Sequence, residues 1–309
     1  MGPLLCLVSA ACFGAMAIFG KLAYDAGVTP GALLLVRFTL AAVLLAAVLL
    51  LRPGLRRAEP HPHRGEPAVG RGRALATAVG LGAVGYAAQA SLFFAALRRM
   101  DASLLSLILY TYPVLVTVAA VLLGRERLTP ARVVALLVAS LGTLLVLLGA
   151  GGGSFAPVPA LLAFGAAITY TIYILVADTV VHRLAPVVLS TLVMTGAAGT
   201  LGARALLTGG VDLDFPVSGW LWLAGIAVVS TVVAMLAFFA GLKRTGPSTA
   251  AILSTFEPVV TTALAALTLG ESLNPVQLAG GVLVLSCVAI LQLRPIRPRL
   301  PAQPRLDGV

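Results

Sequence analysis

The sequence predicts an all-α integral membrane protein of ten transmembrane helices, arranged as two inverted five-helix repeats with both termini in the cytoplasm. Three observations predict it: the composition, a regular supply of apolar runs near membrane length, and an internal repeat. Hydrophobic residues make up 60% of the 309 positions and charged residues 10%, with a mean hydropathy of +1.04. A soluble domain needs more polar surface than that. The net charge of +10 does not point to nucleic acid, because the basic residues lie between apolar runs and in the tail, not along one helix face with aromatics between them. Basic loops facing anionic lipid account for them.

About 20 apolar residues are needed to cross roughly 30 Å of hydrocarbon. Runs of that order occupy residues 3–20, 31–51, 75–97, 102–123, 131–149, 157–177, 187–207, 218–241, 247–269 and 276–293. The first lacks the basic leader of a signal peptide and continues to Gly20, so it reads as a span. Thr29-Pro30, Thr129-Pro130 and Asn274-Pro275 place a capping residue before a proline whose missing N–H costs nothing in the first helical turn. Asp101, Ala156-Pro157, Ala185-Pro186 and Gly246-Pro247 are weaker starts of the same kind. Cys6, Cys12 and Cys287 all fall inside apolar runs without metal or disulfide spacing.

Of the 21 Lys and Arg residues, 16 fall on the face that carries the even-numbered connections and both termini, which places that face in the cytoplasm. The basic loop at 52–73 and the tail at 294–309 are expected to meet anionic lipid there. In the tail Pro295, Pro298, Pro301 and Pro304 recur every third residue, favouring a solvated polyproline-like strand. The plasma membrane is the expected location.

The repeat appears when Phe94 to Arg132 is laid on Phe239 to Gln277 at an offset of 145, where 13 of 39 positions are identical. Pro113 falls on Pro258, Glu126 on Glu271 and Pro130 on Pro275. Earlier, Pro30 matches Pro186 at an offset of 156, and the longer 52–73 loop absorbs the difference. Repeats at 1–150 and 151–293 follow, joined by the Gly/Ser stretch from Gly149 to Ser154. Five spans per repeat is an odd number, so the second must enter the membrane from the opposite side.

Four features resemble the EamA-like branch of the drug/metabolite transporter superfamily over nearly the whole chain. They are Arg37-Phe38, Tyr112-Pro113 followed by Glu126, Phe256-Glu257-Pro258 followed by Gly270-Glu271, and Gly280-Gly281 in the last span. The resemblance implies alternating access through a central cavity lined largely by spans 1, 3, 4, 6, 8 and 9. It also implies export or uptake of amino acids, sugars, nucleotide-type metabolites or drugs.

Glu257 is the first candidate for substrate binding or proton coupling, since a carboxylate midway along a 23-residue apolar run is expensive unless paired, protonated or facing water. The alternative is a protonated group bonded to backbone freed by Pro258. Pro113 and Pro258 should interrupt spans four and nine near their middles. Tyr110, Thr111 and Tyr112 offer hydroxyls beside Pro113, and Gln89, Tyr170 and Ser230 add further candidates, with Ser103, Ser106, Thr171, Tyr173 and Thr231 behind them. Tyr112 holds the position equivalent to Glu257. Arg37 is expected to snorkel outward or join a structural ion pair, while Glu126 and Glu271 should complement helix N-termini.

No HExxH, GxSxG or paired intramembrane carboxylates occur, and Gly14 to Lys21 only mimics a phosphate loop. No catalytic residue, metal or cofactor is therefore expected; a passive channel or a lipid-acting enzyme remain as the other readings. Gly196, Gly199 and Gly202 permit close helix contact within the chain or in a homodimer.

Overall fold

The computed structural model describes residues 1–56, 70–97, 99, 105, 108–149, 157–269 and 274–293, and the regular elements among them are all helical. We number ten. They are α1 (Gly2–Asp25), α2 (Pro30–Leu51), α3 (71–97), α4 (Tyr112–Leu122), α5 (Pro130–Gly149), α6 (Pro157–Val181), α7 (Pro186–Leu207), α8 (217–245), α9 (247–269) and α10 (Pro275–Leu293). Seven of these, α1, α2, α3 and α6 to α9, contain stretches long and apolar enough to cross a bilayer; α4, α5 and α10 supply shorter apolar helices. Asp101, Ser103, Ser106, Glu271, the 150–156 junction and the tail from residue 294 lie outside the described residues.

The capping prolines do what their sequence context predicts. Thr29 Oγ1 accepts the Ala32 N–H at 3.3 Å, and Thr129 Oγ1 accepts the Arg132 N–H at the same distance. Asn274 and Gln277 form a reciprocal pair, each side chain accepting the other's backbone N–H at 2.9 and 3.0 Å, so two orphan donors are satisfied at once. Between α8 and α9 the chain turns on a single residue, Gly246, whose φ of +79° favours glycine.

Packing runs across the two halves rather than within them. α1 lies against α8 and α9, and its counterpart α6 lies against α3 and α4; α2 meets α7 and α8, α5 meets α10, and α4 crosses α9. At the crossing of α3 with α7 the backbones touch: a Cβ added to Gly82 would strike the Val193 carbonyl, and one on Gly196 the Val79 carbonyl. Of the three α7 glycines, Gly196 is thus used inside the chain, whereas Gly199 meets nothing within 4 Å. The resulting core holds Phe38, Tyr173, Phe238 and Phe239 fully buried, and Leu50, Leu122, Leu161, Leu206 and Leu267 face outward as a lipid-facing surface would.

Candidate functional site

Four of the helices are irregular where they meet. α4 is preceded by a turn at Tyr110-Thr111, and α9 is divided at Thr255 between Pro247–Ser254 and Phe256–Leu269. Each break lies two or three residues before a proline, which clashes with the preceding turn and offers no N–H to it. Thr111 Oγ1 donates to the Ile108 carbonyl at 2.7 Å, and Thr255 Oγ1 to the Ile252 carbonyl at 2.6 Å, so the two breaks are finished with the same side-chain device. α3 and α8 each contain a π-helical segment, Leu81–Tyr86 and Val228–Val233, of the kind that gathers at functional sites. The offset of 145 carries the first onto 226–231, overlapping the second.

These two π segments hold Arg37. Its Nε donates to Thr231 Oγ1 at 2.8 Å and its Nη2 to the Tyr86 hydroxyl at 2.9 Å, while the guanidinium carbon lies 4.9 Å from the Phe38 ring centre. Tyr86 and Thr231 are themselves counterparts at the offset of 145, so the guanidinium sits between equivalent positions of the two halves. Arg37 is 2% exposed. The expectation that it snorkels outward or joins an ion pair is therefore corrected: among the described residues the Thr231 and Tyr86 hydroxyls and the Phe38 ring receive it inside the bundle, and they satisfy it more fully than a reach along its stem to the interface.

Glu257 stands in the first turn of the second piece of α9 and lines one cavity with Tyr110, at the break in front of α4, and Tyr112. From there a ladder of rings runs back toward Arg37. Ring centres are 5.9 Å apart for Tyr110–Tyr112, 4.8 Å for Tyr112–Tyr170, 5.9 Å for Tyr170–Tyr173 and 5.4 Å for Tyr173–Tyr86. Five of the chain's six tyrosines thus form one contiguous wall, stacked for Tyr170–Tyr173 and Tyr173–Tyr86, edge-on for Tyr112–Tyr170 and tilted for Tyr110–Tyr112.

Arg37 and Glu257 both line a cavity of about 70 Å³ together with Phe13, Met16, Tyr86, Gln89, Phe93, Tyr110, Tyr112 and Tyr170. Glu257, Tyr110, Tyr112, Gln89 and Tyr170 are accordingly gathered as the sequence pattern placed them. Thr111 and Ser230 are not: Thr111 turns back onto its own helix break, and Ser230 is buried inside the α8 π segment. Tyr86, Phe13, Met16 and Phe93 were not predicted, since nothing in an apolar run distinguishes an inward aromatic from a lipid-facing one. Spacing offers one signal for Tyr86, which stands three residues before Gln89 on the same helix.

Phe94 lines this cavity and also a vestibule of about 470 Å³ at the end of the bundle that carries the 26–29 connection, bordered by Thr29, Ser91, Arg99, Arg204 and Asp212. The opposite end is closely packed. Ser9 Oγ donates to the Ala234 carbonyl at 2.9 Å, Cys6 Sγ lies 3.7 Å from Thr245 Oγ1, and Arg125 donates to the Leu175 carbonyl at 2.6 Å. There Glu126 pairs with Arg132 at 3.1 Å and lies against Gly246, the residue that starts α9. Its carboxylate therefore joins the α5 start to that of α9 in the other half. Asp178 lies 3.9 Å from His182 at the same end.

The sequence matches the model of the EamA-like transporter family over residues 1–148 and again over 158–293. The chain belongs to that family. It is 28% identical to the uncharacterized transporter YcbK of Bacillus subtilis over 90% of this chain and 88% of the relative. It is also 30% identical to an uncharacterized transporter of Archaeoglobus fulgidus, over 71% of this chain and 77% of the relative. A crystal structure of a protein 22% identical in sequence superposes with a TM-score of 0.77 over 94% of this chain and 96% of the other, so the same fold exists in a solved structure. This family member is a multi-pass membrane protein of transporter type, and its relatives are transporters, not enzymes.

Proposed function

We propose that this EamA-like transporter is a secondary carrier that moves a small metabolite across the plasma membrane by alternating access. The observation that carries the reading is the asymmetry between the two ends of one bundle. A vestibule reaches inward to Phe94 from one end, whereas interlocked contacts between the halves seal the other. In this reading α1 to α10 are ten spans, the two halves are inverted, and both termini lie in the cytoplasm on the sealed side, where the even-numbered basic connections also lie. The vestibule then faces outward. Breaks at Tyr110-Thr111 and Thr255, with π segments in α3 and α8, are the places where short helix pieces can re-pack when the seal changes ends.

Glu257 is the coupling residue in this proposal, because it is the carboxylate among the cavity-lining groups and a proton or a substrate cation can each neutralise it. The charged and hydroxyl groups around it are Arg37, Tyr86, Tyr110, Tyr112 and Tyr170.

The test is labelling of Gln89→Cys, in a chain with Cys6, Cys12 and Cys287 replaced by Ala, by an impermeant thiol reagent in sealed vesicles. A carrier exposes this position to each face in turn and never to both at once. Labelling from one face under every gradient tried refutes alternating access, and steady current with simultaneous access from both faces selects a channel. Glu257→Gln should keep the fold and make the labelling balance insensitive to a pH gradient.

A further inference from the structure

We infer that the vestibule at the end of the bundle carrying the 26–29 connection is a lipid site, in which Arg99 and Arg204 hold the phosphodiester of an anionic glycerophospholipid. The site is separate from the cavity of Arg37 and Glu257, and it stands whether or not that cavity carries a solute.

Depth gives the first support. The lining is drawn from helix ends: Thr29, Pro30 and Gly31 open α2, Ser91, Phe94 and Ala95 belong to the last turns of α3, and Leu201, Arg204, Ala205 and Thr208 close α7. Leu206 and Leu207, next to them in α7, are exposed as lipid-facing side chains are. Helices that span a bilayer end where hydrocarbon gives way to headgroups, so the vestibule lies at the level of the lipid phosphates. There the phosphate of a lipid is far more concentrated than any dissolved anion.

The charges give the second. The sparsely basic face of the chain has five of the 21 Lys and Arg residues, Arg37 inside the bundle among them, yet two of the others meet in this one pocket, one from each half. Arg99 Nη1 donates to the Ala95 carbonyl at 2.9 Å, and its counterpart Arg244 donates to the Ala240 carbonyl at 2.7 Å, so this bond is a helix-end device that the duplication copied. It uses one of five N–H donors and leaves four. Arg204, in the last turn of α7, donates to no protein acceptor among the described residues. Asp212 is the acidic residue of the lining, and its Oδ1 accepts the Asp214 N–H at 2.9 Å. Two guanidiniums against one carboxylate leave an excess of one positive charge, and a cleft with such an excess concentrates anions.

The lining also selects among headgroups. A phosphodiester carries one negative charge, which cancels the excess, and its oxygens accept the paired N–H bonds that guanidiniums offer. Basic pockets between membrane helices hold lipid phosphates in this way. Gly31, the second residue of α2, adds an N–H without an acceptor in its own helix, and Thr29 keeps its O–H after capping Ala32. A headgroup that ends in a cation would set a third positive charge beside two guanidiniums. One that ends in glycerol brings hydroxyls, for which Ser91 and the second Asp212 oxygen are partners. Leu34, Phe94, Leu201 and Val211 supply an apolar floor for the lipid's glycerol and first methylenes. At about 470 Å³ the vestibule has the volume of on the order of fifteen waters, enough for a headgroup without moving Phe94.

The test follows the reaction of Ser91→Cys with a neutral maleimide, in the full chain with Cys6, Cys12 and Cys287 replaced by Ala, in maltoside micelles. Phosphatidylglycerol, phosphatidylcholine and diacylglycerol of one chain length are added in turn, and so is water-soluble glycerophosphoglycerol. Phosphatidylglycerol should slow labelling about tenfold, and each of the others by less than about twofold. Arg99→Gln with Arg204→Gln should label at the unprotected rate in every mixture. Arg99→Lys with Arg204→Lys keeps the charges without the planar fork and should fall between; it is the pair to use where the Gln pair does not fold. Equal protection by diacylglycerol overturns the inference, because an apolar crevice would then suffice. Equal protection by phosphatidylcholine overturns the charge selection, and equal protection by glycerophosphoglycerol gives the site to a dissolved anion instead of a lipid. Protection undiminished in the Gln or the Lys pair, or no protection at all, overturns it as well.

Discussion

Replacing Thr231 with Val removes one hydroxyl and little volume, and it tests whether Arg37 is held inside the bundle as the geometry requires. The bond lost is a charged one at 2.8 Å to a side chain 2% exposed, so no bulk water takes the vacated donor. Bonds to charged groups contribute about 1.5–3 kcal/mol net. Bonds between neutral side chains inside membranes average only about 0.6 kcal/mol, because the unfolded helices find other partners. A guanidinium left short of an acceptor should lie above that average, and we expect a loss of about 2 kcal/mol, near thirtyfold in the unfolding equilibrium. Thr231 also donates to the Ile226 carbonyl at 2.9 Å, so Thr231→Ser, which keeps both bonds, is the control and should match the parent. Tyr86→Phe removes the 2.9 Å partner on Nη2 and should cost a similar amount. The double variant should lose about 3 kcal/mol, less than the sum, since a guanidinium released from both hydroxyls can turn into the cavity and meet water. Reversible unfolding in mixed micelles, followed by the fluorescence of Trp220 and Trp222, measures all four. A Thr231→Val protein within about 0.5 kcal/mol of the parent would falsify the internal placement of Arg37, since a snorkelling side chain is the arrangement that predicts no loss.

Gly82→Leu should separate α3 from α7, because its Cβ would meet the Val193 backbone, and overpacking of this kind costs about 1–3 kcal/mol; an unchanged thermal midpoint in detergent would contradict the crossing. Asn274→Ala removes the reciprocal cap at the start of α10 and should cost about 1 kcal/mol, read in the same unfolding assay. Phe94→Ala thins the partition between vestibule and cavity, so labelling of Gln89→Cys from the vestibule side should accelerate about tenfold; a barrier of about 1.4 kcal/mol corresponds to that factor, and no acceleration places the partition elsewhere.

What was legible in the sequence follows the strength of the physics behind it. Helix positions were legible because lipid forces every backbone group to bond within its own segment, leaving length and apolarity as sufficient signals. Helix starts were legible at Thr29, Thr129 and Asn274, where capping chemistry is local. Glu257, Tyr112 and Tyr110 were legible as residues that line a cavity because polar groups beside a proline in an apolar run are costly to bury unless a cavity or a freed backbone group receives them. Arg37 was found but misplaced, because its partners, Tyr86 and Thr231, are 49 and 194 residues away and no local pattern announces them. Thr111 reads as a hydroxyl open to a ligand, whereas it donates back to the Ile108 carbonyl. The π segments left no compositional mark at all, since a one-residue bulge in a helix keeps the same apolar content.

Duplication reproduces backbone features almost without selection, which is why both halves show a break before a proline and a π segment in the third helix. Charges are not so reproduced: Arg37 has Val193 as its counterpart and Glu257 has Tyr112. Arg37 nevertheless bonds two residues that are each other's counterparts, one in each half. In the proposed alternating-access cycle of an inverted repeat the halves exchange their packing, those two partners exchange roles, and the guanidinium can keep both bonds in either state. Glu257, beside Tyr110 where the two helix breaks meet, has no such symmetric support, and in the proposed cycle its surroundings change. In the carrier proposed above the pair thus divides the work: Arg37, held between equivalent positions of the two halves, stays still, and Glu257 is neutralised or exposed as the cycle turns.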